Sequence, residues 1–418
     1  MAAPEPNGTM PPQGPLAGKT VVLCVTGSIA AYKAVELARL LGKAGARVLP
    51  VMTASAARFV GPVTLSGVTG EAVATDMWES SYPGEMHVRL AEQADLVAIV
   101  PATADILARL AHGRADDLAT AVALCARGPV IAAPAMHPRM WEHPAVQRNV
   151  AELASQKRVT LAGPVAGEVA SGDVGMGRMA EPEAILGAIA SALSPRDLAG
   201  MRVVVTAGPT LEDIDPVRFL GNRSTGKMGF AVAERAAARG AEVTLLAGPV
   251  PLVTPHAVKR VDVRGAIAMQ AALWQALGTD LSRADVLVMA AAVADHRPAQ
   301  TSATKLKKKG DERLVLELVN NPDLLAEIGA TRSGRRPVLV GFAVESDSGA
   351  ALVSYAKRKL TEKKVDLVIA NPASESFGRD ENDATLVSAA GSQPLGPMSK
   401  QALADVILDR VRALFQAK

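Results

Sequence analysis

Short runs that are almost wholly apolar alternate with amphipathic stretches twice along this chain, and that rhythm constrains the fold more than any other feature. The first series holds "TVVLCVT", "RVLPVM", "DLVAIVP" and "PVIAAP", with "IAAYKAVELARLLGKAG" carrying apolar residues at helical spacing between the first two. The second holds "RVVVTAGPT", "EVTLLAG", "DVLVMAAA", "PVLVGFA" and "DLVIAN", with the helical "GKMGFAVAERAAARG" after its first strand. Strands without polar alternation have both faces covered, which in an α/β alternation means parallel sheet with helices on either side. The halves echo each other, "GKAGARVLPVM" beside "AARGAEVTLLA", and the polar "SPRDLAG" breaks the rhythm between them. The pattern predicts an α/β fold class: two doubly wound, Rossmann-like parallel-sheet domains in series, over residues 19–193 and 201–418, with a linker at 194–200.

A chain of 418 residues is long enough for two cores. The Pro-rich opening, residues 1–18, lacks an apolar core and reads as a disordered tail rather than a signal peptide. No apolar run approaches the roughly 18 residues of a membrane span. A net charge of +3 is too small to argue for nucleic acid or a membrane surface, and 3% aromatics are too few for base-stacking platforms. Two cysteines, Cys24 in a strand and Cys125 late in a helix, exclude a disulfide framework or thiolate cluster and suit a reducing cytoplasm.

Ligands of doubly wound sheets sit beyond the carboxyl ends of the strands, where helix N-termini present N–H groups to phosphate. The segments there are "TGSIAAYK", "PATAD", "PAMHPRMW", "TAGPT", "AAAVADHR" and "GFAVE", and so many point to bulky, phosphorylated ligands. The stretch "GNRSTGKMG" fits the G-x-x-x-x-G-K of a P-loop from Gly221 to Lys227. Met228 stands where that loop needs a magnesium-binding hydroxyl, and "LEDIDPVRFL" separates it from its strand. The expectation is an anion-holding loop at a helix start without P-loop geometry. A nicotinamide-binding reductase is disfavoured because "TGSIAAYK" lacks G-x-G-x-x-G and "LPVMTAS" lacks the ribose-binding acid.

From about Lys19 to the C-terminus the chain resembles the bifunctional phosphopantothenoylcysteine decarboxylase/phosphopantothenate–cysteine ligase family of coenzyme A synthesis. The first half carries "GSIAAYK", "HVRLAEQADLVAIVPATAD", "PAMHPRMW" and "GDVGMGRM". The second carries "TAGPTLEDIDPVRFLGNRSTGKMG", "MAAAVADHRPA", "KLKKK", "NNPDLLAEIG" and "GFAVE". The order of these motifs is more specific than any one of them.

The resemblance implies two consecutive reactions. A C-terminal ligase would use CTP and Mg²⁺ (or Mn²⁺) to activate phosphopantothenate as an acyl-cytidylate, which cysteine attacks. An N-terminal FMN domain would then decarboxylate the product to phosphopantetheine by way of a transient thiocarbonyl, the electron sink that the carboxylate otherwise lacks. The partners implied are these small molecules, with no nucleic acid and no membrane. The assembly implied is a homo-oligomer, a dodecamer of flavin-domain trimers and ligase-domain dimers, and the localisation is cytoplasmic.

Residue by residue, the resemblance places FMN against Gly27, Ser28, Ile29, Ser55, Thr103, Ala104 and Met136. It makes His87 an active-site histidine. In the ligase half Asn222 would contact the activated carboxyl group, and Ser224, Thr225, Gly226 and Lys227 would grip phosphate. Lys305 would be the catalytic lysine. Ala291, Ala292, Asp295, Asn321, Pro322, Asp323, Phe342, Lys359, Lys363 and Asn371 would line the nucleotide and substrate pocket. The metal ligands stay unassigned: Mg²⁺ would sit mainly on the CTP phosphates, with Asp295 a candidate.

Two positions depart from the family pattern. His137 replaces the asparagine that holds the substrate carboxylate, a task histidine can also perform. Ser171 replaces the flap cysteine that protonates the enethiolate intermediate, and a hydroxyl is a far weaker acid than a thiol. The open alternatives are a substitute acid such as His137 or Asp173, water, or an impaired half. The last would leave a CTP-dependent ligase carrying a non-catalytic flavoprotein domain.

Overall fold

A computed structural model describes residues 14–79, 84–307, 314–345, 349–372 and 381–417. Most of the N-terminal tail, and Lys308 and Lys309 of the lysine run, lie outside the described residues. The chain divides into two compact units, 1–194 and 195–418.

The first unit is built on a five-stranded parallel sheet in the order β2-β1-β3-β4-β5. Its strands are β1 (Thr20–Val25), β2 (Arg47–Met52), β3 (Leu96–Ala102), β4 (Val130–Pro134) and β5 (Val159–Leu161). Side chains alternate along β1: Val21, Leu23 and Val25 enter one core, and Val22 and Cys24 the other. The first core is closed by α1 (Ala31–Lys43), α2 (Pro62–Thr69) and α8 (Pro182–Leu193). The second is closed by α3 (Met86–Gln93), α4 (Ala104–Ala111), α5 (Leu118–Cys125) and α7 (Pro144–Gln156). Helix α1 buries Ala31, Ala34, Leu37, Ala38 and Leu41, a stripe at three- and four-residue intervals; each fully buried leucine contributes about 1.5–3 kcal/mol. Two smaller pieces complete the unit, the one-turn α6 (Pro138–Trp141) and a hairpin of β6 (Val165–Glu168) with β7 (Val174–Arg178).

The second unit carries an eight-stranded sheet in the order β12-β11-β8-β13-β16-β17-β18-β19. Six strands are parallel: β8 (Arg202–Ala207), β11 (Glu242–Ala247), β12 (Val258–Asp262), β13 (Val286–Met289), β16 (Val338–Glu345) and β17 (Leu367–Pro372). The antiparallel edge, β18 (Glu381–Ser388) and β19 (Gly391–Ser399), escaped the sequence reading. Polar residues and two prolines hide β19, and proline is tolerated there because the strand is an edge. Helices α9 (Lys227–Ala238) and α13 (Lys400–Gln416) cover one face; α10 (Ala266–Leu277), α11 (Leu324–Thr331) and α12 (Ala350–Glu362) cover the other. Buried Arg239, the residue after α9, is held by Asp197 at 2.8 Å and by Asp409 of α13 at 2.7 Å, so its charge is paired as burial requires. Short hairpins, β9 (Leu211–Asp213) with β10 (Phe219–Gly221) and β14 (His296–Pro298) with β15 (Leu318–Asn320), sit outside the main sheet.

In each sheet the chain leaves the central strand in one direction and later resumes on its other side, between β1 and β3 and between β8 and β13. A crevice opens at such a switch point, beyond the carboxyl ends of the strands.

Candidate functional site

Each unit has one cleft at that place. In the first, about 730 Å³ is walled by the segments that follow four strands: Thr26–Ser28, Thr53–Ser55, Thr103 with Ala104, and Ala135 with Met136. A Cβ on Gly27 would lie 2.5 Å from the Cβ of Ser55, so only glycine lets these two loops close on each other. Helix α1 begins just beyond with no side-chain cap; the Ala31 and Lys33 N–H groups of its first turn donate to the Ser28 and Ala30 carbonyls at 2.9 and 3.0 Å. Thr103 does cap α4, accepting from the Ile106 N–H at 3.3 Å. Of the expected flavin contacts, Gly27, Ser28, Ser55, Thr103, Ala104 and Met136 come together here, whereas Ile29 is 64% exposed and outside the wall. His87, second residue of α3 and partly buried, is not in the wall either.

The rim carries a group that the sequence reading missed. Arg109 bonds Asp117 at 2.6 Å, Asp105 at 2.8 Å and Asp116 at 3.3 Å. Burial disfavours the charge on Asp117, but hydrogen bonds from Thr120 and Arg109 outweigh it and hold the carboxyl below its usual value. The Asp116–Asp117 pair and Arg109, seven and eight residues before it, were visible as charges, but nothing in the sequence placed them beside Gly27.

His137 and Ser171 lie beside this cleft rather than in its wall. The flap hairpin β6–β7 is fastened to the β4–α6 loop by the Met136 N–H, which donates to the Gly177 carbonyl at 2.9 Å. At its tip the Ser171 hydroxyl donates to Asp173 at 2.9 Å, and His137 Nε2 meets the same carboxylate oxygen at 2.7 Å. Nδ1 of His137 accepts the Arg139 N–H at 3.2 Å, so the Nε2 hydrogen is the one that faces Asp173. These bonds, from His137 first and Ser171 second, hold the Asp173 carboxyl below its ordinary value. Neither cysteine stands in for the flap thiol: Cys24 is buried in β1, where burial pushes its thiol up, and Cys125 is exposed at the end of α5.

The second cleft, about 880 Å³, explains the P-loop likeness. Gly221 ends β10 of a small hairpin rather than following a sheet strand. Gly226 adopts a left-handed conformation, φ 74°, as the residue before α9, which has no side-chain cap. The loop between them, Asn222 to Thr225, and Lys227 therefore border an uncapped helix start, an anion site of non-P-loop construction. Asn222 Nδ2 donates to the Val293 carbonyl at 3.0 Å and Ser224 accepts the Gly226 N–H at 3.3 Å.

Across the cleft, Ala291, Ala292 and exposed Asp295 follow β13. Thr206 accepts from Ala291 N–H at 3.1 Å and Thr210 from Ala294 N–H at 2.9 Å, which pins this segment to β8 and the loop after it. Asn321 donates to the Ala294 carbonyl at 2.8 Å, and Pro322 and Asp323 follow it along the wall. Asp323 caps α11 through Ala326 N–H at 3.1 Å and pairs with Lys363 at 2.7 Å. Burial works against its charge, yet Lys363 and the helix N–H keep its carboxyl below the usual range. Lys359 donates to the Phe342 carbonyl at 2.6 Å, and Phe342 and Asn371 complete the far end.

Lys305 is exposed and does not line this cleft. Its neighbour Leu306 is held by Asp215, 1% exposed, which accepts from Leu306 N–H at 3.1 Å, Val217 N–H at 2.8 Å and the Arg218 guanidinium at 2.6 Å. Arg218 foremost, then these N–H groups, hold the Asp215 carboxyl far below its normal range. Thus "LEDIDPVRFL" organises the segment that carries the lysine.

The first cleft fits a flavin mononucleotide: a glycine cradle stands at the switch point, with Ser28, Ser55 and Thr103 in its wall. Among the described residues no group of three or more His, Cys, Asp or Glu side chains could hold a metal ion, and no helix is long and apolar enough to cross a membrane.

Residues 10–194 match the family described as Flavoprotein, and residues 198–414 match the DNA/pantothenate metabolism flavoprotein C-terminal domain. The chain is 42% identical over 405 residues to the coenzyme A biosynthesis bifunctional protein CoaBC of Haemophilus influenzae, covering 96% of this chain and 99% of that one. It is 46% identical over 407 residues to the protein of the same name from Mycobacterium tuberculosis, covering 94% and 96%. A crystal structure of the C-terminal domain of a CoaBC protein is 34% identical, spans 53% of this chain and all of its own, and has a TM-score of 0.45. With both families matched in order and relatives aligned from end to end, the chain belongs to the bifunctional coenzyme A biosynthesis proteins.

Proposed function

We propose that the chain makes phosphopantetheine in two steps, ligation of cysteine to phosphopantothenate and decarboxylation of the product, one in each unit. The observation that carries this reading is a ligand-sized cleft at the switch point of each sheet, in a chain that matches both family models in this order and is 42% identical to a bifunctional coenzyme A biosynthesis protein.

In the ligase unit CTP is the activating nucleotide. The phosphopantothenate carboxylate attacks the α-phosphorus, and diphosphate leaves with the broken P–O bond. The cysteine amine then attacks the acyl carbon, an amide forms, CMP departs and the amine gives up a proton. The α9 start with Lys227, and the Lys359 and Lys363 side of α12, supply positive potential to the phosphates. Mg²⁺ neutralises further charge, held mainly by phosphate oxygens and water, with Asp295 the protein carboxylate assigned to it. Asn222 orients the carboxyl group, and Lys305 reaches the acyl phosphate from the segment that Asp215 anchors.

In the other unit, FMN, when bound, would supply the reversible two-electron oxidation that the decarboxylation needs. Gly27, Ser28 and Ser55 would hold its phosphate and ribose, and Thr103, Ala104 and Met136 would meet the ring, with Ile29 beside them. His87 pairs with the substrate carboxylate. We assign proton delivery to the flap group rather than to Ser171 alone, whose hydroxyl is a weak acid. Asp173 is held ionised, so His137 is the donor. To act it must first take a proton at Nδ1 in place of the Arg139 N–H, and it then releases the one on Nε2 to the enethiolate carbon. A homo-oligomer of flavin-domain trimers and ligase-domain dimers, working in the cytoplasm, is part of the same reading.

The test is full-length protein given phosphopantothenate, cysteine, CTP and Mg²⁺, with products followed by mass spectrometry. Phosphopantetheine is expected. A reaction that stops at phosphopantothenoylcysteine would leave the ligase standing and remove the decarboxylase; no ligated product at all would remove the ligase.

A further inference from the structure

Asn371, near the end of β17, is 2% exposed, and three strand neighbours before it, Val368, Ile369 and Ala370, are fully buried. An amide here is out of place on both strand propensity and burial. Its Nδ2 donates to the Asp383 carbonyl at 3.4 Å. A carbonyl only accepts, so this contact fixes the amide with nitrogen toward β18 and oxygen away from it. That oxygen, Oδ1, is buried and has no hydrogen-bond partner, on a residue that lines the ligase cleft. Buried acceptors without partners are rare and unfavourable, and on a residue of the cleft wall the missing donor is one that a bound ligand supplies.

The chemistry of the missing partner is restricted. It must bring an N–H or O–H. Phosphate and carboxylate groups, which are acceptors at neutral pH, are excluded as its partner and suit the α9 start instead. The parallel register sets Val344 beside Asn371, which puts Phe342, two residues earlier, on the same face of the sheet. Phe342 is half-buried and also lines the cleft. A planar ring beside a single edge acceptor suits a base rather than a sugar.

We propose that Asn371 Oδ1 accepts a hydrogen bond from the exocyclic amine of the nucleotide base, and thereby selects cytosine over uracil. Uracil carries an oxygen at the same place, and two acceptors facing each other leave both unsatisfied. The proposal rests on the nucleotide reading of this cleft.

Binding to the full-length protein, with Mg²⁺ and without phosphopantothenate so that nothing turns over, tests it. The probes are CTP, UTP, the 4-deamino analogue of CTP and 2′-deoxy-CTP. Wild-type protein is expected to bind CTP about 10–100-fold more tightly than UTP or the 4-deamino analogue, and 2′-deoxy-CTP within about threefold of CTP. Asn371→Leu is expected to bring CTP and UTP together, and Asn371→Asp, which keeps an acceptor, to retain the ranking. Equal binding of CTP and the 4-deamino analogue by wild type overturns the proposal, as does a cytosine preference that survives in Asn371→Leu. A large loss confined to 2′-deoxy-CTP overturns it too, by assigning the oxygen to the ribose. If the leucine variant does not fold, the analogue comparison on wild type still decides. CTP and UTP bound equally, with ligation intact, would remove only the role of Asn371; no binding of any nucleotide would remove the cleft reading with it.

Discussion

His137 and Asp173 share a 2.7 Å hydrogen bond across the joint between the β4–α6 loop and the flap, and Ser171 donates to the same carboxylate oxygen at 2.9 Å. One acid oxygen therefore joins His137 and Ser171: serine gives Asp173 a hydroxyl donor, and histidine supplies a second.

That relationship predicts unequal effects of substitution. His137→Ala is expected to lower decarboxylation of supplied phosphopantothenoylcysteine by about 10²–10⁴-fold, the usual range for a general acid. Ser171→Ala should cost less than about tenfold, because the hydroxyl only supports Asp173. Initial rates of CO₂ release measure both; a larger loss for Ser171→Ala than for His137→Ala would return the proton to serine.

Flavin retention probes the cradle at Gly27. In Gly27→Ala the new methyl group would meet Ser55 at 2.5 Å, an overpacking conflict of about 1–3 kcal/mol. Purified Gly27→Ala protein should therefore lose most of its visible flavin absorbance per mole of protein, with ligation unaffected.

Asp215 sets an acid limit on the ligase unit. Its carboxyl is depressed in the folded protein, so the stabilisation it contributes is fully present above the ordinary carboxylate pKa. It is lost as pH falls through the lower folded value. The circular-dichroism midpoint of acid unfolding should thus move to higher pH in Asp215→Asn, which also strands Arg218. Ligation in that variant should fall with the loss of the Leu306 anchor.

Removing metal separates the two activities. EDTA in excess is expected to abolish ligation and to leave decarboxylation of supplied phosphopantothenoylcysteine unchanged, since only the nucleotide step needs charge neutralised by Mg²⁺.

Lys363 tests the phosphate wall. Lys363→Ala removes the 2.7 Å pair with Asp323 and leaves that carboxylate facing the nucleotide. The KM for CTP should rise by about 10–100-fold, the range for a lost charged hydrogen bond, with a smaller change in kcat. Steady-state kinetics at saturating phosphopantothenate and cysteine check it.

The sequence by itself determined the fold class, because strands covered on both faces must be wholly apolar and their helices amphipathic, and both patterns are local. It also determined which segments stand at strand ends, so Gly27, Ser55 and Thr103 were legible as candidates, whereas Asn321 and Lys363 came only from the resemblance. Tertiary structure decided what a one-dimensional pattern does not carry. Arg109 and its three carboxylates reached the rim of the first cleft only through the packing of α4 against α5. Asp215 became the anchor of Leu306 across 91 residues of chain, and Lys305 fell outside the cleft wall to which its motif had assigned it. The orphaned oxygen of Asn371 depends on β18 approaching β17, a pairing that polar, proline-containing edge strands conceal. Local periodicity reports which face of an element is buried; a hydrogen bond between distant residues depends on how those elements meet.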